Sequence, residues 1–378
     1  MERVAVIGVG QTKYETGKRE TFHELVWEVA NKALKDAGIT VKEIDNVVSI
    51  SSDFWDGRTI SSMAISDTSG AYDKDISTVE GDGTFGVLYG MMRILSGSFG
   101  TTMVVAHHKG SESDMAGITN TCFDPLVERK LGLDAVTSSA LQARRYMTVS
   151  GGTEEQFAMV SVKNHGNAMR NPFAQLPMDI TVEDVMSSEM MSSPLKKLDC
   201  SPVSDGAAAV VLAAERNAKK LTTNKKRVWL NGVGHYTDAY RLGDRDLADT
   251  RALKKAAKKA YEMAGVTLDD IDVAEIYDAF SYMEPLWLEG LGFCEDGQGP
   301  EQIERGKFTF DSELPVNPSG GRLSANPVQV AGLAGMIECV LQCRGEAGRR
   351  QVRGAEIALA HGINGMCGQS HCVWVLGK

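Results

Sequence analysis

Apolar positions in this chain fall into two kinds of run. Short β-branched or alanine-rich runs without polar alternation, such as residues 4–7, 103–106 and 357–360, predict strands buried on both faces. Between them lie stretches with helical spacing. The most informative join is residues 75–95. Ile76 to Val79 predicts a strand, Gly81-Asp82-Gly83 a turn, and Thr84 onward a helix with Phe85, Leu88, Met92 and Leu95 on its apolar face. Such a join brings backbone N–H groups and a helix N-terminus to one point, suited to an anion or a nucleophile. The turn itself holds no Ser, Cys or Lys, and Thr84 has no base beside it.

The same order of elements occurs twice. Residues 3–12 and 227–237 each read as a strand ending in a Gly-Val-Gly turn. A helix follows in both, closed by Ala37-Gly38 and by Ala264-Gly265, with glycine as the expected C-cap. An acidic turn and another strand come next, at residues 42–50 and 269–277. Further on, Met103 to His107 matches Ile357 to His361. Two βαβ-rich halves, residues 1–225 and 226–378, imply stacked sheets covered by helices. The first half carries an insertion at about 108–220, with loop material from Gly110 to Asp134 and a helix around Leu141 to Met147. A long polar loop of this kind suits a lid or a binding segment.

The 378 residues are 43% hydrophobic and 24% charged, with a net charge of −10 and a pI of about 5.3. The acidic balance argues against a nucleic-acid partner. The basic runs Lys219-Lys220, Lys225-Lys226-Arg227, Lys254-Lys255 and Lys258-Lys259 read as solvated faces. No apolar stretch approaches a membrane span. The N-terminus enters the first strand without a signal-peptide pattern, and the seven cysteines form no CxxC pair, so a cytoplasmic protein with reduced thiols and no metal site is expected.

Several segments carry a family resemblance: residues 153–172, Leu198 to Ala209, Glu275-Ile-Tyr-Asp-Ala-Phe-Ser281 and Val316-Asn-Pro-Ser-Gly-Gly-Arg-Leu-Ser324. Together with the duplication they resemble the thiolase superfamily, in particular its lipid-transfer-protein-like members, over the whole chain. The resemblance implies an α/β fold of duplicated βαβαβαββ halves in a five-layer αβαβα core, with the inserted loop domain in the first half.

On that resemblance the family's catalytic positions are changed one after another. The acyl-accepting Cys falls at Gly83, which cannot form an acyl-enzyme. The Gly-His-Pro histidine falls at Asn326, which cannot accept a proton at neutral pH. The Asn or His of the first oxyanion hole falls at Tyr277, and the Cys-x-Gly loop is replaced by His361-Gly-Ile-Asn364-Gly. Cys367 is a candidate displaced thiol or an ordinary loop cysteine. Cys200, Cys339 and Cys343 read as core.

Polar replacements at the old pocket favour an active site over a decayed one. Cleaving a bond next to a thioester creates an enolate, which fixed N–H and O–H donors stabilise. Asn326, Asn364 and the turn backbones are candidate donors, and Tyr277 and His361 candidate acid and base. Asp278 reads as a cap of the following helix, and His107, His108 and His371 as second-rank candidates. Cysteine-less members of the superfamily are of two kinds. One resembles steroid side-chain retro-aldolases; the tyrosine that group carries near its Gly-Gly-x-Leu-Ser motif is missing from Ser324-Ala-Asn-Pro-Val328. The other resembles benzoylsuccinyl-CoA thiolases of aromatic degradation, with free CoA attacking the ketone directly. That second kind is the leading expectation, and a non-catalytic acyl-CoA-binding scaffold is the third. The resemblance further implies a homodimer core and a small zinc-ribbon/OB-fold (DUF35) partner, likewise the holder of any zinc, in an A2B2 assembly. CoA is then substrate rather than bound cofactor, with Ser113, Asn120 and Arg129 of the insertion as candidate contacts.

Overall fold

The protein is described by a computed structural model covering residues 2–223 and 226–378. The proposed half boundary at 225 and Lys225 of the basic run lie outside the described residues. The first half contains strands β1 (Val4–Gln11), β2 (Asn46–Ile50), β3 (Asp75–Val79), β4 (Thr101–Lys109) and β5 (Asp205–Ala214). Its main helices are α1 (Phe22–Ala37), α2 (Gly83–Leu95), α3 (Ala135–Ser150) and α4 (Glu154–Ala168). The second half contains β6 (Val228–Thr237), α5 (Arg251–Ala264), β7 (Val273–Glu275), α6 (Met283–Leu291), α7 (Ala331–Arg344), β8 (Ile357–Asn364) and β9 (Ser370–Gly377).

The strand order is β3-β2-β4-β5-β1-β6-β9-β8-β7. The duplication is visible in it: β1-β5-β4-β2 corresponds to β6-β9-β8-β7. The two halves join where Ala5 and Val6 pair with Trp229 and Val228. The counterpart of β3 is reduced to one parallel bridge, Ala274 to Val316. Pro315 and Pro318 flank that bridge, and proline cannot donate to a ladder.

Three apolar clusters define the layers. One gathers the inner faces of both halves around α2 and α7, with Val87, Met91, Ile94, Leu333, Ile337 and Val340 from the helices. The outer face of the first half packs on α1, and that of the second on α5 and α6. Helix, sheet, helix, sheet, helix is the expected five-layer order.

Three local expectations change. The Gly-Val-Gly segments are not turns; both lie inside β1 and β6. Glycine is needed there because helix backbone packs directly on the strand: a Cβ at Gly10 would fall 2.5 Å from the Val29 carbonyl oxygen, and one at Gly234 would collide with that of Ala256. In α2 the buried side chains include Val87, Met91 and Ile94, while Met92 and Leu95 are exposed. A helix apolar on nearly all sides does not reveal its inward face by spacing alone. Finally, β5 is a fully buried sheet strand, so the segment leaving the core is 110–204 rather than 108–220.

Candidate active site

The two parallel pairs β2–β3 and β7–β8 each bring their carboxyl ends to one cavity of about 720 Å³, the usual ligand position beyond parallel strands. Both central helices begin there. Asp82 is the N-cap of α2, its Oδ1 accepting from the Thr84 amide at 2.9 Å and hydroxyl at 2.6 Å. Its Oδ2 accepts from the Gly332 amide at 2.6 Å, at the start of α7. One buried carboxyl therefore ties both helix N-termini together. Burial raises its pKa, and these donors oppose the rise.

Gly83, where the family resemblance puts the nucleophile, is closed to a side chain. A Cβ on Gly83 would collide with Leu333 Cβ and lie 2.6 Å from the Leu333 amide nitrogen. Gly81, with φ +134°, has the Asn364 side chain pressed against it; a Cβ there would fall 2.6 Å from Asn364 Nδ2.

Tyr277 and Asn326 meet on the cavity wall. The Tyr277 hydroxyl donates to Asn326 Oδ1 at 3.2 Å, and Asn326 Nδ2 donates to Ser201 Oγ at 2.9 Å. The Asn326 amide donates to Ser204 Oγ at 2.9 Å, fixing the backbone. Burial, and then the nearby Asp82 charge, push the Tyr277 phenol well above its ordinary pKa. It keeps its proton and is a donor, not a base. Asn364 also lines the cavity.

His361 does not line it. It is buried, its Nε2 lies 3.0 Å from His371 Nδ1, and the Tyr277 amide points at its Nδ1 at 3.5 Å. The two imidazoles stack, with the Trp287 ring edge-on to both. Nδ1 is thus the acceptor and Nε2 carries the hydrogen, a tautomer assigned from the network. Burial and the neighbouring imidazole drive the His361 pKa well below its ordinary value, and burial takes His371 down to about 3. Both are neutral at working pH. Accordingly, His361→Gln is expected to leave the shape of the pH–rate profile unchanged; a lost limb between pH 6 and 7 would place the imidazole in the chemistry.

Cys367 lines the cavity in a left-handed conformation, φ 53°, but burial pushes its thiol up to about 11. Cys200, expected in the core, is half-buried on the cavity wall and is raised to about 12. Neither environment activates a thiolate.

Asp278 does not cap the following helix. Its carboxyl accepts from the Arg322 amide and from Asn164 Nδ2 (2.7 Å). It therefore holds the turn Gly321–Ser324 instead, because the chain returns beside it through Asn317 and Ser319. Burial and the Glu284 charge raise its pKa to about 8. A carboxyl whose folded pKa is raised favours the folded state most below its unfolded value near 4, and that contribution is lost as pH rises through 8. The denaturation midpoint should fall across this window, and Asp278→Asn should flatten the fall.

His107 bonds Asp56 through Nε2 at 3.0 Å, and His108 sits against Trp55 with its pKa lowered to about 4 by burial. The three candidate CoA contacts have internal partners. Ser113 donates to the Trp55 carbonyl at 3.0 Å, Asn120 to Leu133 at 2.7 Å and Arg129 to Thr121 at 2.7 Å. They tie down the 110–135 loop, whose Met115, Ala116 and Thr119 reach the cavity. Sequence reasoning missed Glu80, which also lines the cavity and accepts from Ser52 Oγ at 2.6 Å. Its only sequence signal is its place beside Gly81.

Family comparison decides what this arrangement is a version of. The model of the thiolase N-terminal domain matches residues 4–216, and that of the thiolase C-terminal domain-like family matches 234–378. The chain belongs to the thiolase family. An acetyl-CoA acetyltransferase of Methanothermobacter thermautotrophicus is 38% identical over 376 residues, 97% of this chain and 98% of the archaeal one. The benzoylsuccinyl-CoA thiolase subunit BbsB of Thauera aromatica is 34% identical over 230 residues, 60% of each chain. Among solved structures, an Ltp2-ChsH2(DUF35) aldolase superposes with a TM-score of 0.86 at 24% identity, over 100% of this chain and 98% of that one, a likeness of fold. This thiolase-family chain thus keeps the family scaffold while Leu333 fills the space beside Gly83.

Proposed function

We propose that this chain cleaves a C–C bond next to a CoA thioester, by CoA-dependent thiolysis of a β-oxoacyl-CoA in which free CoA attacks the ketone without an acyl-enzyme. The observation that carries the reading is the closed Gly83 position beside an intact, donor-lined cavity. Sulfur bonds to the ketone carbon, and collapse of the adduct breaks the Cα–Cβ bond. One acyl-CoA is formed, and the other leaves as its enolate. Neutral donors Tyr277, Asn326 and Asn364 stabilise that oxygen. Glu80 is the cavity carboxylate suited to take the thiol proton and Tyr277 to deliver one to the enolate carbon; Glu80 then returns its proton to the Tyr277 phenolate, so the net transfer is from thiol to carbon and both groups are restored. Similarity to an acetyl-CoA acetyltransferase and to BbsB supports acyl transfer.

Initial-rate kinetics test the reading. Direct attack gives intersecting, sequential patterns and no acylated protein by mass spectrometry. Parallel ping-pong lines with a trapped acyl thioester would contradict it.

A retro-aldol cleavage of a β-hydroxyacyl-CoA is the second reading, favoured by a protonated tyrosine on the cavity wall. The fold likeness to an Ltp2-ChsH2(DUF35) aldolase supports a DUF35 partner; that this partner is a small zinc-ribbon/OB-fold subunit on a homodimer core, in an A2B2 assembly, is part of the proposal. A non-catalytic acyl-CoA scaffold would bind ligand without turnover and be indifferent to Tyr277.

A further inference from the structure

The charge of the cavity wall restricts the acyl group. Among the described residues, none of those lining the cavity is Lys, Arg or His. Three carry carboxyls: Glu80, Asp82 and Asp134. Asp82 caps α2 and reaches α7. Asp134 caps α3, its Oδ1 accepting from the Thr137 amide at 2.7 Å and hydroxyl at 2.8 Å. Glu80 is held by Ser52. Each has donors of its own, and none has a cation within the cavity. Much of the remaining wall is apolar, with Trp55, Met115, Val136, Phe280, Met283 and Ile363 facing the space. The polar groups left for a ligand are neutral donors suited to a thioester or ketone oxygen.

A free carboxylate on the acyl chain would lose its water, meet no counter-ion and face three carboxyls. An ionised group in such surroundings is strongly disfavoured unless paired. We infer that the acyl group taken by this cavity is uncharged, an aryl or alkyl chain, and that acyl chains bearing a second, free carboxylate are rejected. This rests on the CoA-thioester reading above and narrows it. The benzoylsuccinyl group, which carries such a carboxylate, is then a poor fit, while the same phenyl ketone without the carboxymethyl group is a good one.

The test compares three CoA esters on the full chain with any subunit that co-purifies: benzoylacetyl-CoA, benzoylsuccinyl-CoA and the methyl ester of the latter, a neutral control for size. Expected is cleavage of the first and third, with kcat/KM for the free carboxylate lower than for its methyl ester by roughly 100-fold or more, the scale of an unpaired buried charge. Equal cleavage of carboxylate and methyl ester overturns the inference and leaves the thiolysis reading standing. If no ester is cleaved, the thiolysis reading fails, and binding decides the inference. Calorimetric Kd values for 3-phenylpropionyl-CoA, benzylsuccinyl-CoA and the latter's methyl ester need no turnover. A gap of roughly 100-fold between the benzylsuccinyl carboxylate and its methyl ester supports an uncharged acyl group; equal Kd values overturn it.

Discussion

Tyr277→Phe is expected to lower kcat by about 100- to 1000-fold while leaving KM for the CoA ester within a few-fold, the usual cost of removing one positioned donor or proton carrier from a buried site. The substitution keeps the ring, which fills its place in the outer cluster of the second half. It removes only the hydroxyl that meets Asn326 at 3.2 Å. Asn326 Oδ1 loses that partner, so stability should drop by only about 1–2 kcal/mol. Loss of turnover with the fold intact and the ester still bound is the result that separates a reacting phenol from a packed one. An unchanged kcat would move Tyr277 out of the chemistry.

Gly83→Cys, which restores the family's nucleophile in name, is expected to give no acyl-enzyme and to destabilise the protein by about 2–3 kcal/mol, the range for overpacking a tight helix contact. The new Cβ meets Leu333 across the central helix pair, 2.6 Å from its amide nitrogen. Two helix N-termini joined by Asp82 leave little room to move apart. Adding Leu333→Ala does not relieve the contact, because alanine keeps the Cβ, N and Cα atoms that the new Cβ meets, and Asn326 on the cavity wall supplies no base. Denaturant midpoints measure the first effect. Iodoacetamide labelling and intact mass after acyl-CoA treatment measure the second. A stable Gly83→Cys protein that forms an acyl thioester would show that the site was never rebuilt.

The strands, the duplication and the central strand-turn-helix were readable because parallel strands covered on both faces leave uninterrupted apolar runs, and glycine marks the helix ends. Tyr277 and Asn326 were each assigned to the pocket through their motifs, and their hydrogen bond is what the fold adds. What stayed hidden depends on contacts between distant segments. Leu333 lies 250 residues from Gly83, and so does Gly332 from Asp82; no local spacing announces either. His361 was misleading for a geometric reason. His361 shares a face of β8 with Ile363 but lies two residues further from the strand's carboxyl end, where it packs on Trp287 and His371, while Ile363 and Asn364 at that end reach the cavity. A polar residue near a strand end gives no sign of whether it clears the neighbouring helix. The insertion contacts show the same limit: Asn120 and Arg129 look available in sequence and are occupied by loop carbonyls in the fold.

The most direct test of the account is the CoA dependence of C–C cleavage. Purified protein, with any co-purifying subunit, is given benzoylacetyl-CoA and its β-hydroxy counterpart, each with and without free CoA. Direct thiolysis predicts that only the β-oxo ester is cleaved, only when CoA is added, with one new acyl-CoA formed per CoA consumed. Cleavage of the β-hydroxy ester to an aldehyde without CoA would contradict it and make the chain a retro-aldolase.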